Sequence, residues 1–188
     1  MKRLRVKLAL ALVAAGAITI GIVAVAVAGG GHSIREKLTG YQETPALSTP
    51  GVGKFRASID RGANEIHYRL TYGGLESPVT QSHIHFENRT NPGPIVVFLC
   101  TNLGNGPAGT QACPPNGGTI TGTIRPSDVG NGAAAQGLAA GEFAEFVRAI
   151  RAGATYVNVH TTGRPAGEIR AQLEHNKQGG DDKHGGDH

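Results

Sequence analysis

The sequence predicts an all-β domain: an antiparallel Greek-key β-sandwich or barrel of about eight strands with one short helix. Three observations carry this expectation. Apolar and polar residues alternate with period two through most of residues 37–174, as in strands with one buried face. Clusters of Gly, Pro and Asn interrupt the alternation at short intervals, as turns between antiparallel strands do. One stretch, 140–151, has helical spacing instead. A chain of 188 residues accommodates one such domain with appendages.

The first appendage is residues 1–28. Lys2, Arg3, Arg5 and Lys7 precede an apolar run, Leu8 to Ala28, that ends in the small-x-small form Ala26-Val27-Ala28 accepted by signal peptidase. The run is also long enough to span a bilayer uncleaved. It therefore reads as a signal peptide or an N-terminal anchor. Both export the domain, which is expected to be secreted, periplasmic or at the cell surface. Membrane contact is expected only through residues 8–28, and only if they are retained. Of the eighteen Lys and Arg, four lie here, and the other fourteen are matched by fourteen Asp and Glu. The net charge of +4 thus belongs to the export segment. A domain without net positive charge lacks the electrostatic footprint of a nucleic-acid binder. Its expected partner is a protein or a surface.

Residues 29–36 read as a linker and 37–174 as the domain. The hairpin is the clearest element: Phe55, Ala57 and Ile59 alternate with Arg56, Ser58 and Asp60. The turn 60–64 follows, and then Ile66, Tyr68, Leu70 and Tyr72 alternate with His67, Arg69 and Thr71. Further strands are expected at 37–42, 79–86, 94–100, 118–124, 154–161 and 167–173. The Gly-, Pro- and Asn-rich stretch 101–117 reads as a long loop. In the helix, Phe143, Phe146, Val147 and Ile150 share one face, and Gly153 stands where a helix stops. Residues 175–188 contain nothing apolar and read as a disordered tail, whose three His and three Asp bind metals weakly at most.

Cys100 and Cys113 are the only cysteines. In an exported chain a disulfide is the simplest reading, closing a loop and stabilising by about 3 kcal/mol.

Two segments carry the chemistry. If 79–86 is a strand, Ile84 and Phe86 face the core while His83 and His85 share the other face, with Cα atoms about 6.6 Å apart. Two imidazoles so spaced can converge on one metal ion with bonds of about 2.0–2.1 Å. On the later strand Tyr156, Asn158 and His160 share a face. His160 completes a three-nitrogen site if the two strands are neighbours, with Tyr156 and Asn158 as supporting donors. Nitrogen ligands of this kind suit copper or zinc. The alternative is that the histidines only hydrogen-bond backbone and hydroxyl groups. Glu168 and Arg170 share a strand face and read as a surface ion pair of little energetic value. Neither a G-x-S-x-G elbow nor a phosphate-binding glycine motif is present, and no catalytic residue is assigned.

Three ordered segments resemble the CHRD domain, the module repeated in chordin and found singly in bacterial proteins. They are Leu38-Thr39-Gly40-Tyr41-Gln42-Glu43-Thr44-Pro45, then His83-Ile84-His85 followed by Gly93-Pro94-Ile95-Val96, then Tyr156 to Thr161 with Pro165 to Leu173. Ala171 departs from the family's usual glycine. The resemblance implies an all-β extracellular fold but no reaction. A second similarity, H-x-H with a late Val-x-Val-His, is to the copper-ligand pattern of copper/zinc superoxide dismutases. It implies His83, His85 and His160 as copper-type ligands. The zinc-holding cluster and a fourth copper histidine of those enzymes have no counterpart, since His67 lies on an earlier strand. Three functions follow as expectations. The first is a non-enzymatic exported binding module with a histidine-held metal, the second a copper-dependent redox enzyme, and the third a structural envelope or matrix domain.

Overall fold

The structure is a computed structural model, and it describes residues 32–174. The export segment 1–28 and the tail 175–188 lie outside the described residues. The strands are β1 His32–Thr39, β2 Val52–Asp60, β3 Glu65–Gly73, β4 Val79–Phe86, β5 Ile95–Thr101, β6 Gly118–Ile124, β7 Thr155–Thr161 and β8 Ile169–Leu173; the helix α1 is Phe143–Arg151. All eight strands form one antiparallel sheet in the order β5-β4-β7-β8-β1-β2-β3-β6. Its two edges, β5 and β6, approach each other, so the sheet is a nearly closed barrel. Around that ring the run β3-β6-β5-β4 is a Greek key.

The hairpin forms as its alternation predicts. Phe55, Ala57 and Ile59 on β2 and Ile66, Tyr68, Leu70 and Tyr72 on β3 are buried, and their neighbours along each strand are mostly exposed. Asp60 Oδ1 accepts from the N–H groups of Gly62 and Ala63 at 2.9 and 3.1 Å, an Asx-type turn, and Asn64 supplies the positive φ of 53°.

The first strand differs from expectation. It pairs with β2 from His32↔Ile59 to Thr39↔Val52, so it runs through much of the stretch read as linker and stops before residues 40–42. Ile34 and Leu38 face the core, but Glu36 sits between them and hides the alternation. The chain turns at Gly40, whose carbonyl accepts from Glu43 N (3.0 Å) and Leu47 N (2.9 Å). That turn carries Glu43 over the neighbouring strands.

Helix α1 joins the core through Phe143, Phe146, Val147 and Ile150. It ends in a Schellman motif. Ala154 N–H donates to Ala149 O at 2.9 Å and Gly153 N–H to Ile150 O at 3.1 Å, with Gly153 at φ +68°.

The open seam between β5 and β6 is closed by side chains. The Cys100–Cys113 disulfide anchors the loop that carries Gln111. Gln111 Nε2 lies 3.1 Å from Leu99 O on β5, 3.2 Å from Thr121 O on β6 and 3.0 Å from the Tyr68 hydroxyl. One carbonyl of each edge strand is thereby bridged without a ladder. Gln111→Ala should destabilise by about 1 kcal/mol through the bridge it removes, with Leu99 O keeping the Tyr68 hydroxyl at 3.2 Å. An unchanged urea midpoint would show that the seam does not depend on it.

β4, β7 and β8 are buried on both faces. The inner face is apolar: Ile84, Val157, Val159, Ile169, Ala171 and Leu173. The outer face is a buried polar layer that loops 43–51, 74–78, 87–94 and 162–168 cover. This corrects the surface ion pair expected of Glu168 and Arg170, which are 0% and 2% exposed. Each has partners of its own. Glu168 accepts from Thr49 Oγ1 (2.7 Å), Thr161 Oγ1 (2.8 Å) and Glu76 N (2.9 Å). Arg170 donates to Asn88 O (2.8 Å), Asn91 O (3.3 Å) and Thr44 Oγ1 (3.2 Å). Covering loops turned a solvent face into an interior one.

Candidate metal centre

Strands β4 and β7 are neighbours, in the register His83↔Asn158 and His85↔Tyr156. On its other side β4 pairs with β5 with irregularities at Ser82/His83 and Ile84/His85. Bulges of this kind increase the local twist and re-aim side chains. His83, His85 and His160 therefore meet on the outer face, with ring centroids 5.0 Å (His83–His160), 5.5 Å (His83–His85) and 6.0 Å (His85–His160) apart. One ring nitrogen from each lies within 4.8 Å of the others. His67 takes no part: it is exposed on β3 and bonds Thr123 Oγ1 at 3.0 Å.

Two of the three rings are oriented by backbone carbonyls. His85 Nδ1 lies 2.8 Å from Gly93 O and His160 Nδ1 lies 3.0 Å from Pro165 O. A carbonyl can only accept, so both Nδ1 atoms carry the hydrogen and both Nε2 atoms keep a lone pair. His160 Nε2 is 3.2 Å from His83 Nδ1. With His160 in that tautomer, His83 Nδ1 is the donor, and His83 Nε2 is left buried without a hydrogen-bond partner. A buried orphan of this kind costs about 1–3 kcal/mol and calls for an explanation. His83 also packs edge-on against Phe98 at 4.5 Å.

Electrostatics keep the rings neutral. Burial, with His160 and His85 adding to it, pushes His83 down to about 2. Burial likewise takes His85 down to about 4 against the raising effect of Gly93 O, and it lowers His160. Neutral imidazole is the form that ligates a metal.

The expected supporting residues stand beside the rings. The Tyr156 ring stacks on His85 at 4.6 Å between planes 2° apart, and the Arg170 guanidinium lies 3.4 Å from its centroid. Because β4 and β8 flank β7, these neighbours come from opposite sides. The Tyr156 hydroxyl accepts from Gly93 N at 3.0 Å. Asn158 Oδ1 lies 3.0 Å from His85 Nε2. Glu43, not singled out from the sequence, reaches into the same layer at 9% exposure, and its Oε1 has no hydrogen-bond partner. Burial raises its carboxyl to about 7 against the opposing charge of Arg170. Gly167, at φ +129°, lies against both residues. A Cβ there would meet Glu43 Oε1 and come within 2.8 Å of Asn158 Nδ2.

The family model of the CHRD domain matches residues 34–173. The chain belongs to the CHRD domain family. Neither a curated protein nor a solved structure matches it significantly. The segments that resemble the CHRD domain in sequence meet at this one place. The opening segment brings Glu43. The central one brings His83, His85 and the Gly93 carbonyl, and the closing one brings Tyr156, Asn158, His160, the Pro165 carbonyl and Gly167. The two carbonyls had no signal in the sequence, because a backbone group has no residue type. Glu43 lies within the opening CHRD-like segment, and that position was the available signal.

Proposed function

We propose that this CHRD protein is an exported, non-enzymatic binding module in which His83, His85 and His160 hold one zinc- or copper-type divalent ion. The observation that carries the metal reading is the pair of Nδ1–H···O=C contacts that leave the Nε2 lone pairs of His85 and His160 available within the cluster, the latter facing His83 Nδ1. Ligating histidines ordinarily donate their second nitrogen in this way. Ligation moves the His83 hydrogen from Nδ1 to Nε2, and the 3.2 Å between His83 Nδ1 and His160 Nε2 then fits two ligands on one ion, since bonds of about 2.05 Å subtend about 100°. Closing a 4.8 Å spread to the roughly 3.3 Å that such bonds span at a tetrahedral ion needs a combined shift of about 1.5 Å.

Burial favours binding over redox catalysis. The rings are 0%, 6% and 6% exposed, whereas a catalytic ion keeps an open position for its substrate. Export is supported by the Lys/Arg-led apolar run of residues 8–28 and by the disulfide, which suits an oxidising compartment. Elemental analysis of the full chain and of His83→Ala tests the metal. The wild type should carry about one equivalent of zinc or copper above the variant, with the tail common to both. Equal content in the two proteins would end the metal reading.

A further inference from the structure

We propose that Asn158 Oδ1 is the fourth donor to this ion, giving a closed three-nitrogen, one-oxygen site, and that Glu43 is the positioning residue that turns the amide oxygen inward. The proposal rests on the three-histidine reading. If His85 is a ligand with its Nδ1–H on Gly93 O, its Nε2 lone pair points into the site. The atom that faces it at 3.0 Å is Asn158 Oδ1, also a lone-pair bearer. Two acceptors so placed with no hydrogen between them repel each other, and a shared cation removes that repulsion. With bonds of about 2.0–2.2 Å, atoms 3.0 Å apart subtend about 90° at an ion, and parting them by about 0.4 Å opens this to the tetrahedral angle.

Reversing the amide would also relieve the repulsion, but its surroundings oppose this. The nitrogen end of Asn158 lies on the Gly167 side, where the Glu43 carboxyl also sits, and the two side chains interact. Glu43 Oε1 is buried and no hydrogen bond satisfies it. An acceptor beside Nδ2 keeps the donor end outward and the oxygen toward His85. Gly167 leaves the two side chains the space they occupy, which a Cβ would fill.

The consequence is chemical as well as geometric. Four protein donors leave no open position, so the ion is structural, and an oxygen donor favours zinc over cuprous copper. Through its ligands the ion ties down three covering segments: 87–94 by Gly93 on His85, 162–168 by Pro165 on His160, and the turn after β1 by Glu43 on Asn158.

The test measures zinc affinity by chelator competition on the full chain, together with the visible spectrum of the cobalt-substituted protein. Asn158→Ala should weaken zinc at least tenfold, Asn158→Asp should restore affinity and shift the cobalt bands, and Glu43→Ala should weaken zinc while leaving the band positions near wild type. Wild-type affinity in Asn158→Ala, or an unshifted cobalt spectrum in Asn158→Asp, would overturn the fourth donor and leave the histidines standing. If the alanine variant does not fold, the aspartate spectrum decides alone. No zinc on the wild-type chain would remove both readings.

Discussion

Arg170→Met should lower the stability of the domain by about 3–5 kcal/mol, the largest effect of any single substitution on β8. Among the described residues Arg170 is the largest fully buried side chain, and its hydrogen bonds all go to neutral acceptors. Its guanidinium instead satisfies Asn88 O, Asn91 O and Thr44 Oγ1 while lying on the Tyr156 ring. Methionine fills much of the volume but makes none of those bonds, and hydrogen bonds from a charged donor contribute about 1.5–3 kcal/mol each. The lost stacking on Tyr156 adds about 1–2 kcal/mol. Loop 87–94 is exposed to this change because side chains hold it at almost every step. Gln172 donates to Glu87 O, Arg170 to Asn88 O and Asn91 O, and Tyr156 accepts from Gly93 N. Arg170→Lys should fall between the two, since an ammonium keeps the charge without the planar fork. Denaturant titration measures the effect. A loss under about 1 kcal/mol for the methionine variant would mean that the loop holds itself.

The same loop explains how far the sequence can be read. The β2–β3 hairpin was legible because one of its faces meets solvent, so burial wrote a period of two into the residues. β1 is obscured by its one interruption, Glu36 between Ile34 and Leu38. On β7 and β8 a polar residue every second position signals a wet face, yet here that face is interior. Whether Arg170 is wet depends on where residues 87–94 fold, and no local pattern reports that. The histidine cluster was legible in part, because H-x-H and His160 needed only adjacent strands to meet. Asn158 was visible as a neighbour, but its facing of His85 depends on Glu43, a residue far earlier in the chain whose route is set by the turn at Gly40.

Acidifying the metal-free protein should destabilise it steeply below pH 6.5, and stability should peak near that value. The three histidines have folded pKa values below the ordinary 6.5, down to about 2 for His83 and about 4 for His85. Between those values and 6.5 the unfolded chain binds more protons than the folded one, so stability rises with pH there and is fully present above 6.5. Each tenfold loss of proton affinity on folding corresponds to about 1.4 kcal/mol, so His85 alone is worth about 3 kcal/mol by pH 4. Glu43 acts in the opposite sense. Its carboxyl is raised from 4.5 to about 7, so the folded state holds a proton that the unfolded chain has released. That contribution is complete below pH 4.5 and is lost as pH rises to about 7. From 4.5 to 6.5 the histidines outnumber Glu43 and the net slope favours higher pH. From 6.5 to 7 the histidines have finished while Glu43 still titrates, and stability eases down slightly before levelling. Calorimetric melting from pH 4.5 to 8 with a chelator present should therefore show a maximum near 6.5. Glu43→Gln should remove the decline above it, and His83→Phe should make the acid limb shallower. Zinc should shift the acid limb to lower pH, because protons and metal compete for the same lone pairs. A melting temperature that is flat from pH 7 to 5 without metal would mean that the rings are not held neutral in the folded chain.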